Sequence, residues 1–118
     1  MKKTGRDKEY SVNGRIWIDF GDSSFIGHGK IELLKKTKEL GSLRKAAMEL
    51  NMSYAQAWYN IDKMNKSAPT PLIILHRGGK EGGIAQITEM GEEVLYRYKK
   101  LQKKFDIFLK KQTKRLHF

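Results

Sequence analysis

Two helical segments separated by a turn of only a few residues constrain the fold of this chain more than any other feature. Apolar residues recur three or four positions apart in each segment, at Leu43, Ala46, Ala47 and Leu50 and then at Ala57, Ile61 and Met64. Ser42 and Ser53 stand where N-caps are expected, Gly41 can end a preceding helix, and Asn51 can adopt the left-handed conformation of a tight turn. The pattern predicts a helix-turn-helix whose second helix, residues 54–66, enters the major groove of DNA.

The segments on either side predict the rest of a small domain that is mainly α-helical. Residues 15–20 are rich in β-branched and aromatic types and favour a short strand that ends in turn residues 21–24, whereas residues 29–40 have helical spacing. Apolar runs at 72–75 and 84–87 flank a segment in which residues 77–83 include four glycines, which is typical of a β-hairpin with a flexible tip. A strand, three helices and a hairpin form the order of a winged-helix domain.

A long amphipathic helix is predicted after the hairpin. Thr88 can cap it, and apolar residues follow at steps of four and three: Val94, Tyr98, Leu101, Phe105 and Phe108. A helix from residue 89 to 115 would be roughly 40 Å long at about 1.5 Å per residue, which is too long to bury against so small a domain. We interpret the stripe as a dimerisation surface. A helix folded back onto its own domain and a helix lying on a membrane surface are the alternatives.

These patterns divide the chain into three parts. Residues 1–14 have no periodicity and are predicted to be a disordered leader. Residues 15–90 are predicted to form the winged-helix DNA-binding domain, and residues 91–118 the long dimerisation helix with a basic tail. The predicted fold class is mainly α with a small β-hairpin, a winged helix-turn-helix followed by a long C-terminal helix.

The charge of the chain agrees with a nucleic-acid partner and leaves little room for catalysis. The 118 residues include 24 Lys and Arg against 13 Asp and Glu, a formal net charge of +11. Cysteine is absent, which excludes disulfides, thiol catalysis and cysteine-based zinc sites, and the three histidines lack metal-ligand spacing. No apolar run approaches the roughly 20 residues of a membrane span. We expect a cytoplasmic protein that is not an enzyme, needs no cofactor and binds no membrane.

The candidate DNA contacts lie on three elements. Gln and Asn side chains can pair bidentately with adenine, Ala can meet a thymine methyl group, and Tyr or Lys can reach a phosphate. On the recognition helix these considerations select Ser53, Tyr54, Ala55, Gln56, Tyr59, Asn60 and Lys63. On the preceding helix and the wing they select Ser42, Arg44, Lys45, Arg77 and Lys80. Trp58 follows a core position, and we expect it to pack at the edge of the core.

Specific motifs connect the chain with a known family. Ser-Tyr-x-x-Ala-Trp at residues 53–58 is followed by Met64-Asn65, and the hairpin holds Gly-Gly-Lys-x-Gly-Gly at residues 78–83. With these motifs the chain resembles, over roughly residues 15–108, the N-terminal DNA-binding domain of ModE-type molybdate-responsive transcription regulators. More distantly it is similar to the LysR-type winged helix. The resemblance implies a homodimeric transcription factor that binds palindromic double-stranded DNA.

We do not expect the resemblance to extend to sensing of molybdate. Full-length regulators of this family continue into C-terminal domains that bind molybdate, whereas this sequence ends at residue 118. A stand-alone DNA-binding domain, a response to another signal and a separate effector-binding partner all remain open. Two further hypotheses are a non-specific architectural protein that coats nucleic acid and an interaction module that binds an acidic protein through the basic tail.

Overall fold

The structure is a computed structural model that describes residues 8–77 and 83–118. Its helices are α1 (His28–Leu40), α2 (Leu43–Glu49), α3 (Tyr54–Ser67) and α4 (Glu89–Arg115). Its strands are β1 (Ile18–Phe20), β2 (Ser23–Ile26), β3 (Ile73–His76) and β4 (Ile84–Ile87). The strands form two antiparallel pairs, β1 with β2 and β3 with β4. The predicted winged helix-turn-helix followed by a long C-terminal helix is confirmed.

The ends of α1, α2 and α3 are set by the residues that the sequence indicates. Gly41 ends α1 at φ 63°, and Asn51 makes the turn between α2 and α3 at φ 55°. The Ser42 hydroxyl accepts the N–H of Lys45 at 3.1 Å, and the Ser53 hydroxyl accepts the N–H of Gln56 at 3.1 Å. Each cap satisfies one backbone donor that a helix start leaves without a partner. The start of α3 is therefore fixed by local chemistry as well as by packing.

The core lies where α1, α2 and α3 meet the hairpins. Small residues bring the helices of the helix-turn-helix close together, since Ala46 and Ala57 are fully buried. Large apolar side chains fill the space around them, namely Ile26, Leu33, Leu34, Ile61, Met64, Leu72 and Ile73. Burying each such side chain contributes about 1.5–3 kcal/mol relative to leaving it in water. This core holds α3 with its opposite face toward solvent.

Side-chain hydrogen bonds attach the β3–β4 hairpin to the end of α3. The Asn65 carbonyl oxygen accepts the N–H of Leu72 at 2.8 Å and of Ile73 at 3.2 Å, and its amide group donates to the Ile73 carbonyl at 2.9 Å. The start of α4 passes close to this hairpin at Gly91, where a Cβ atom would collide with the Leu72 carbonyl and the Ile87 side chain. Any residue with a side chain at position 91 would therefore push α4 away from the hairpin.

The N-terminal part of the domain contains a strand that the sequence analysis did not predict. Residues 21–24 were expected to be a turn, but Ser23 and Ser24 belong to β2, which pairs with β1 so that Asp19 lies opposite Ser24. The two serines are exposed, and β2 is fixed to the core by Ile26 at its other end. Because neither serine side chain is buried, this part of β2 has no apolar residue that would indicate a strand. Serine is also common in turns, so the sequence favoured a turn here.

Residues 8–17, here called the N-terminal segment, lie along α4. The Val12 N–H donates to the Thr113 hydroxyl at 2.8 Å, and the Tyr98 hydroxyl donates to the Ile16 carbonyl at 3.2 Å. Between these bonds, Gly14 lies so close to Phe105 that a Cβ atom there would approach the ring to 2.9 Å. The prediction of a disordered leader over residues 1–14 is therefore wrong for the part from residue 8 onward. The two hydrogen bonds join residues 101 and 82 positions apart in sequence, so no local pattern indicates them.

Candidate nucleic-acid interface

The first two turns of α3 present a face of exposed side chains to solvent. Tyr54, Ala55, Gln56 and Tyr59 are exposed, whereas Asn60 is half-buried at the edge of the same face. Within residues 8–77 and 83–118, the side chains of Gln56 and Asn60 make no hydrogen bond to the rest of the chain. Their amide groups are thus available to donate to and accept from a ligand simultaneously.

Trp58 differs from its prediction. It was expected at the edge of the core, but its side chain is 47% exposed and does not belong to the set of residues that pack against the core. Tyr54 precedes it by one helical turn and is also exposed, so the two rings flank one side of the exposed face. Trp58 is thus an exposed aromatic residue beside the face that the sequence analysis selected. Its place beside Ala57 on the helical wheel did not decide whether it faced the core or solvent.

Helix α2 has two exposed basic side chains and begins at a buried serine cap. Arg44 and Lys45 are exposed in the first turn of α2. Ser42 is only 8% exposed, and its hydroxyl accepts the backbone N–H of Lys45. The structure therefore makes Ser42 a structural cap, while the side chains of Arg44 and Lys45 are open to solvent.

The wing is described up to its tip. Arg77 is exposed directly after β3, whereas Lys80 lies in residues 78–82, outside the part of the chain that the structure describes. The strands are joined by main-chain pairing, and a contact of 3.3 Å between His76 Nε2 and Gln86 Oε1 crosses them. The predicted hairpin is confirmed, and the position of Arg77 places a basic group where the wing leaves the domain.

Ion pairs neutralise much of the positive charge of α1 and α3. The pairs are Lys35 with Glu32, Lys36 with Glu39 and Glu49, Lys38 with Glu92, and Lys66 with Asp62. Such exposed pairs contribute little to stability, commonly about 0–1 kcal/mol, but they cancel charge locally. Among the described residues, Lys30, Arg44, Lys45 and Lys63 form no ion pair. Uncompensated positive charge therefore remains on α2 and around Lys63.

An open groove of about 1060 Å³ separates α1 from α4, on a surface other than the exposed face of α3. Its lining contains lysines of both helices together with Glu32, Glu39, Glu92 and Asp106. Lys38 and Glu92 form an ion pair of 2.7 Å between the two helices. A wall with balanced charges does not favour a polyanion, so we do not assign the groove to nucleic acid.

The apolar stripe of α4 is covered in part by the chain itself and is exposed to solvent in the remaining part. Tyr98 is buried, Phe105 is half-buried against the N-terminal segment, and Val94 packs on the core. Leu101 and Phe108 remain 43% and 53% exposed. The prediction of one continuous dimerisation stripe is therefore wrong in extent, because the chain itself covers Tyr98 and much of Phe105. The exposed remainder is the edge that contains Leu101 and Phe108.

Among the described residues, no group of three side chains is arranged to hold a metal ion. Within the same residues, no helix combines the length and the apolar character that crossing a bilayer requires. The longest helix, α4, has nine basic residues and one acidic residue between positions 97 and 115.

Comparison with known proteins identifies the regions that match. The model of the family "Bacterial regulatory helix-turn-helix protein, lysR family" matches residues 29–92, which include α1 after its first residue, α2, α3 and the β3–β4 hairpin. The molybdenum transport protein ModE of Azotobacter vinelandii is 32% identical over 103 residues, which are 87% of this chain and 38% of that protein. The transcriptional regulator ModE of Haemophilus influenzae is 37% identical over 88 residues, which are 75% of this chain and 34% of that protein.

A third relative is the DNA-binding transcriptional dual regulator ModE of Escherichia coli, which is 35% identical over 87 residues. That match covers 70% of this chain and 33% of the relative. The chain thus spans about a third of the length of these curated relatives. The predicted resemblance to ModE-type and LysR-type winged helices is confirmed.

Proposed function

This chain belongs to the lysR family of bacterial regulatory helix-turn-helix proteins, and from this membership we propose that it is a sequence-specific transcription regulator that binds palindromic double-stranded DNA as a homodimer. We propose that it acts in the cytoplasm. The observation that carries the proposal is the exposed face of α3, which begins at a capped helix start and displays amide, phenol and methyl groups without partners in the described chain. These are the groups that read base edges in a major groove.

Within this face, we assign base contacts to the middle and backbone contacts to the start. Gln56 and Asn60 would pair with adenine through both atoms of their amide groups, and Ala55 would meet a thymine methyl group. Ser53 and Tyr54 stand at the N-terminus of α3, where the remaining backbone N–H groups favour a phosphate. Tyr59, exposed one turn further on, would reach a phosphate or a base edge.

Basic side chains on the neighbouring elements would position α3 without reading sequence. Arg44 and Lys45 on α2 and Arg77 on the wing are exposed and would contact backbone phosphates. Lys80 would do the same from the tip of the wing, so a Lys80→Ala variant should bind more weakly with an unchanged base preference.

The homodimer would form through the exposed edge of α4. Leu101 and Phe108 lie seven positions apart, two turns along the same side of the helix, and Phe105 stacks on Phe108 with ring centroids 6.3 Å apart. Packed against the same edge of a second copy, they would form a two-fold interface in which each residue meets its counterparts. Two α3 helices related in this way would bind half-sites about one helical turn, or roughly 34–36 Å, apart, or multiples of that spacing.

The alternative function is non-specific coating of nucleic acid. It is favoured by one observation, that the strongest positive charge lies on α4 and not on α3. A competition experiment separates the two functions. A duplex is first selected from a random pool and labelled, and its complex is then challenged with a 100-fold excess of unlabelled random duplex. A regulator keeps the labelled duplex bound. Equal competition by random duplex would support the architectural function and contradict sequence-specific regulation.

A further inference from the structure

The lysines of α1 and α3 fall into two groups that differ in their partners. Three of the four lysines on α1 form ion pairs with glutamates, and Lys66 on α3 pairs with Asp62 at 2.8 Å. Lys30 on α1 and Lys63 on α3 form no ion pair with any acidic residue in the ranges 8–77 and 83–118. The two exceptions lie on elements that pack against each other, because α1 contacts α3 and strand β2 contacts both helices.

The position of Lys30 is fixed by a hydrogen bond. Its ammonium group, in the first turn of α1, donates to the Ser24 carbonyl of β2 at 2.9 Å. Strand β2 packs against α3, which carries Lys63, and both lysine side chains are half-buried. Loss of hydration lowers the pKa of Lys30, and the positive charge of Lys63 lowers it further. The direction of the second effect agrees with the packing of β2 against both α1 and α3.

Two neighbouring ammonium groups without a carboxylate are unfavourable in the free protein. The repulsion is not relieved by the Ser24 carbonyl, which carries only a partial charge. An anion placed between the two groups would remove the repulsion and gain an attraction to each of them. The anion that a protein of this family meets beside α3 is a phosphate of the DNA backbone.

We propose that Lys30 and Lys63 together bind one backbone phosphate of the DNA, so that the interface extends from α2 and α3 onto the first turn of α1 and the β1–β2 hairpin. This inference rests on the proposed function, because it adds a contact to the same DNA. The contact reads no base. It fixes the angle at which α3 enters the groove by holding the duplex at a second point beside Lys63.

The test measures binding of a labelled 30-base-pair duplex of random sequence by the whole chain over a series of salt concentrations. Each phosphate that a protein neutralises contributes about −0.9 to the slope of log K against log salt. For Lys30→Ala we expect this slope to become shallower by about one half, because Lys63 still faces the phosphate, with affinity lowered several-fold at low salt. Lys30→Arg should keep the slope of the wild type. Lys35→Ala is the matched control, since Lys35 lies on the same helix and is paired with Glu32, and it should leave the slope unchanged.

The double variant Lys30→Ala/Lys63→Ala tests whether one phosphate is shared. If it is shared, the double variant loses no more than about one unit of slope, and its loss of affinity is smaller than the product of the two single losses. A loss of about two units would show two independent phosphates and would overturn the proposal. Neither Lys30→Ala nor the double variant should melt below the wild type, because the bond to Ser24 is exposed and loss of an ammonium group relieves the repulsion.

The remaining outcomes separate this inference from the proposed function. An unchanged slope for Lys30→Ala, with a clear loss for Arg44→Ala, would overturn the inference and leave DNA binding intact. Absence of binding by the wild-type chain to any duplex would overturn both.

Discussion

Helices α3 and α4 both expose long surfaces to solvent, but their surfaces have opposite chemistry. From residue 54 to 67, α3 contains two lysines and one aspartate, and its exposed face is made of amide, phenol and methyl groups. From residue 97 to 115, α4 contains nine basic residues and one acidic residue beside an apolar edge. In our account the difference separates two tasks: α3 selects the DNA sequence, whereas α4 joins two copies and attracts the polyanion.

The largest change is expected where α4 would join two copies. Placing a charge on its apolar edge, as in Leu101→Asp/Phe108→Asp, should convert the dimer to a monomer because the carboxylates cannot be buried without partners. Binding to a duplex with two half-sites should then fall by about 100-fold or more, since the second contact is no longer linked to the first. Analytical ultracentrifugation and fluorescence anisotropy measure the two effects.

The matched control for this change is Ile107→Asp. Ile107 is 57% exposed and adjacent to Phe108 in sequence, but it points away from the edge that contains Leu101. It should leave the dimer and its DNA affinity close to those of the wild type. If the protein with Leu101→Asp/Phe108→Asp is still a dimer, the interface lies elsewhere, and α4 does not join the two copies.

A smaller change is expected on α3, in selectivity. Gln56→Ala or Asn60→Ala should each reduce discrimination against a changed base pair by about 1–3 kcal/mol, with little effect on the slope of affinity against salt. The measurement compares affinities for a selected duplex and its single-base variants. Lys66→Ala serves as the control on the same helix, since Lys66 is paired with Asp62 and distant from the helix start. Unaltered selectivity in both amide variants would show that another face of α3 reads the bases.

Substitutions in the basic tail of α4 should change the salt dependence of binding and leave the base preference unchanged. Replacing Lys110, Lys111 and Lys114 with Gln should weaken binding by about tenfold or less at low salt and make the salt dependence shallower. Base preference should not change, because these residues lie far from the exposed face of α3 in sequence and on another helix. Lys36→Gln is the control, because Lys36 is already paired with two glutamates. A changed base preference in the tail variant would contradict the proposal that α3, and not α4, selects the DNA sequence.

The smallest effect is expected where α4 contacts its own N-terminal segment. Tyr98→Phe removes the hydrogen bond to the Ile16 carbonyl and should lower the free energy of unfolding by about 1 kcal/mol. Burial raises the pKa of Tyr98 above its ordinary value. The folded state therefore holds the phenol proton more tightly than the unfolded state, so this stabilisation is complete below about pH 10 and is lost as the pH rises further.

Denaturant unfolding at pH 7 and at pH 11 tests this statement. Tyr98→Phe should lose less stability than the wild type between the two pH values, whereas Tyr96→Phe, whose ring is 61% exposed, should behave as the wild type. Neither variant should alter the affinity for DNA at pH 7. A loss of affinity in Tyr98→Phe would mean that the packing of α4 on its own chain also controls binding.

The sequence predicts well those parts of the fold that local chemistry determines. Ser42, Ser53 and Thr88 cap the helices that follow them, and Gly41 and Asn51 have the positive φ values of turn residues. These features depend on neighbours within four positions. The order of helices and hairpin follows from them, and so does the position of the exposed face of α3.

The features that were missed depend on distant parts of the chain. The N-terminal segment is ordered by contacts with residues such as Thr113, and these contacts have no periodic signal. The same contacts explain why the apolar stripe of α4 was overestimated, because period alone cannot show which half of a stripe its own chain covers. The pairing of β2 and the exposure of Trp58 likewise depend on what lies beside them in space.

The central claim is that α3 reads sequence and that two copies do so together. Selection of bound duplexes from a random pool tests it most directly, with the whole chain as bait. We predict an enriched inverted repeat whose half-site centres are about one helical turn, or a multiple of it, apart, and loss of this enrichment for Gln56→Ala/Asn60→Ala. A pool that stays random for the wild type, or the same repeat recovered with the double variant, would contradict the account.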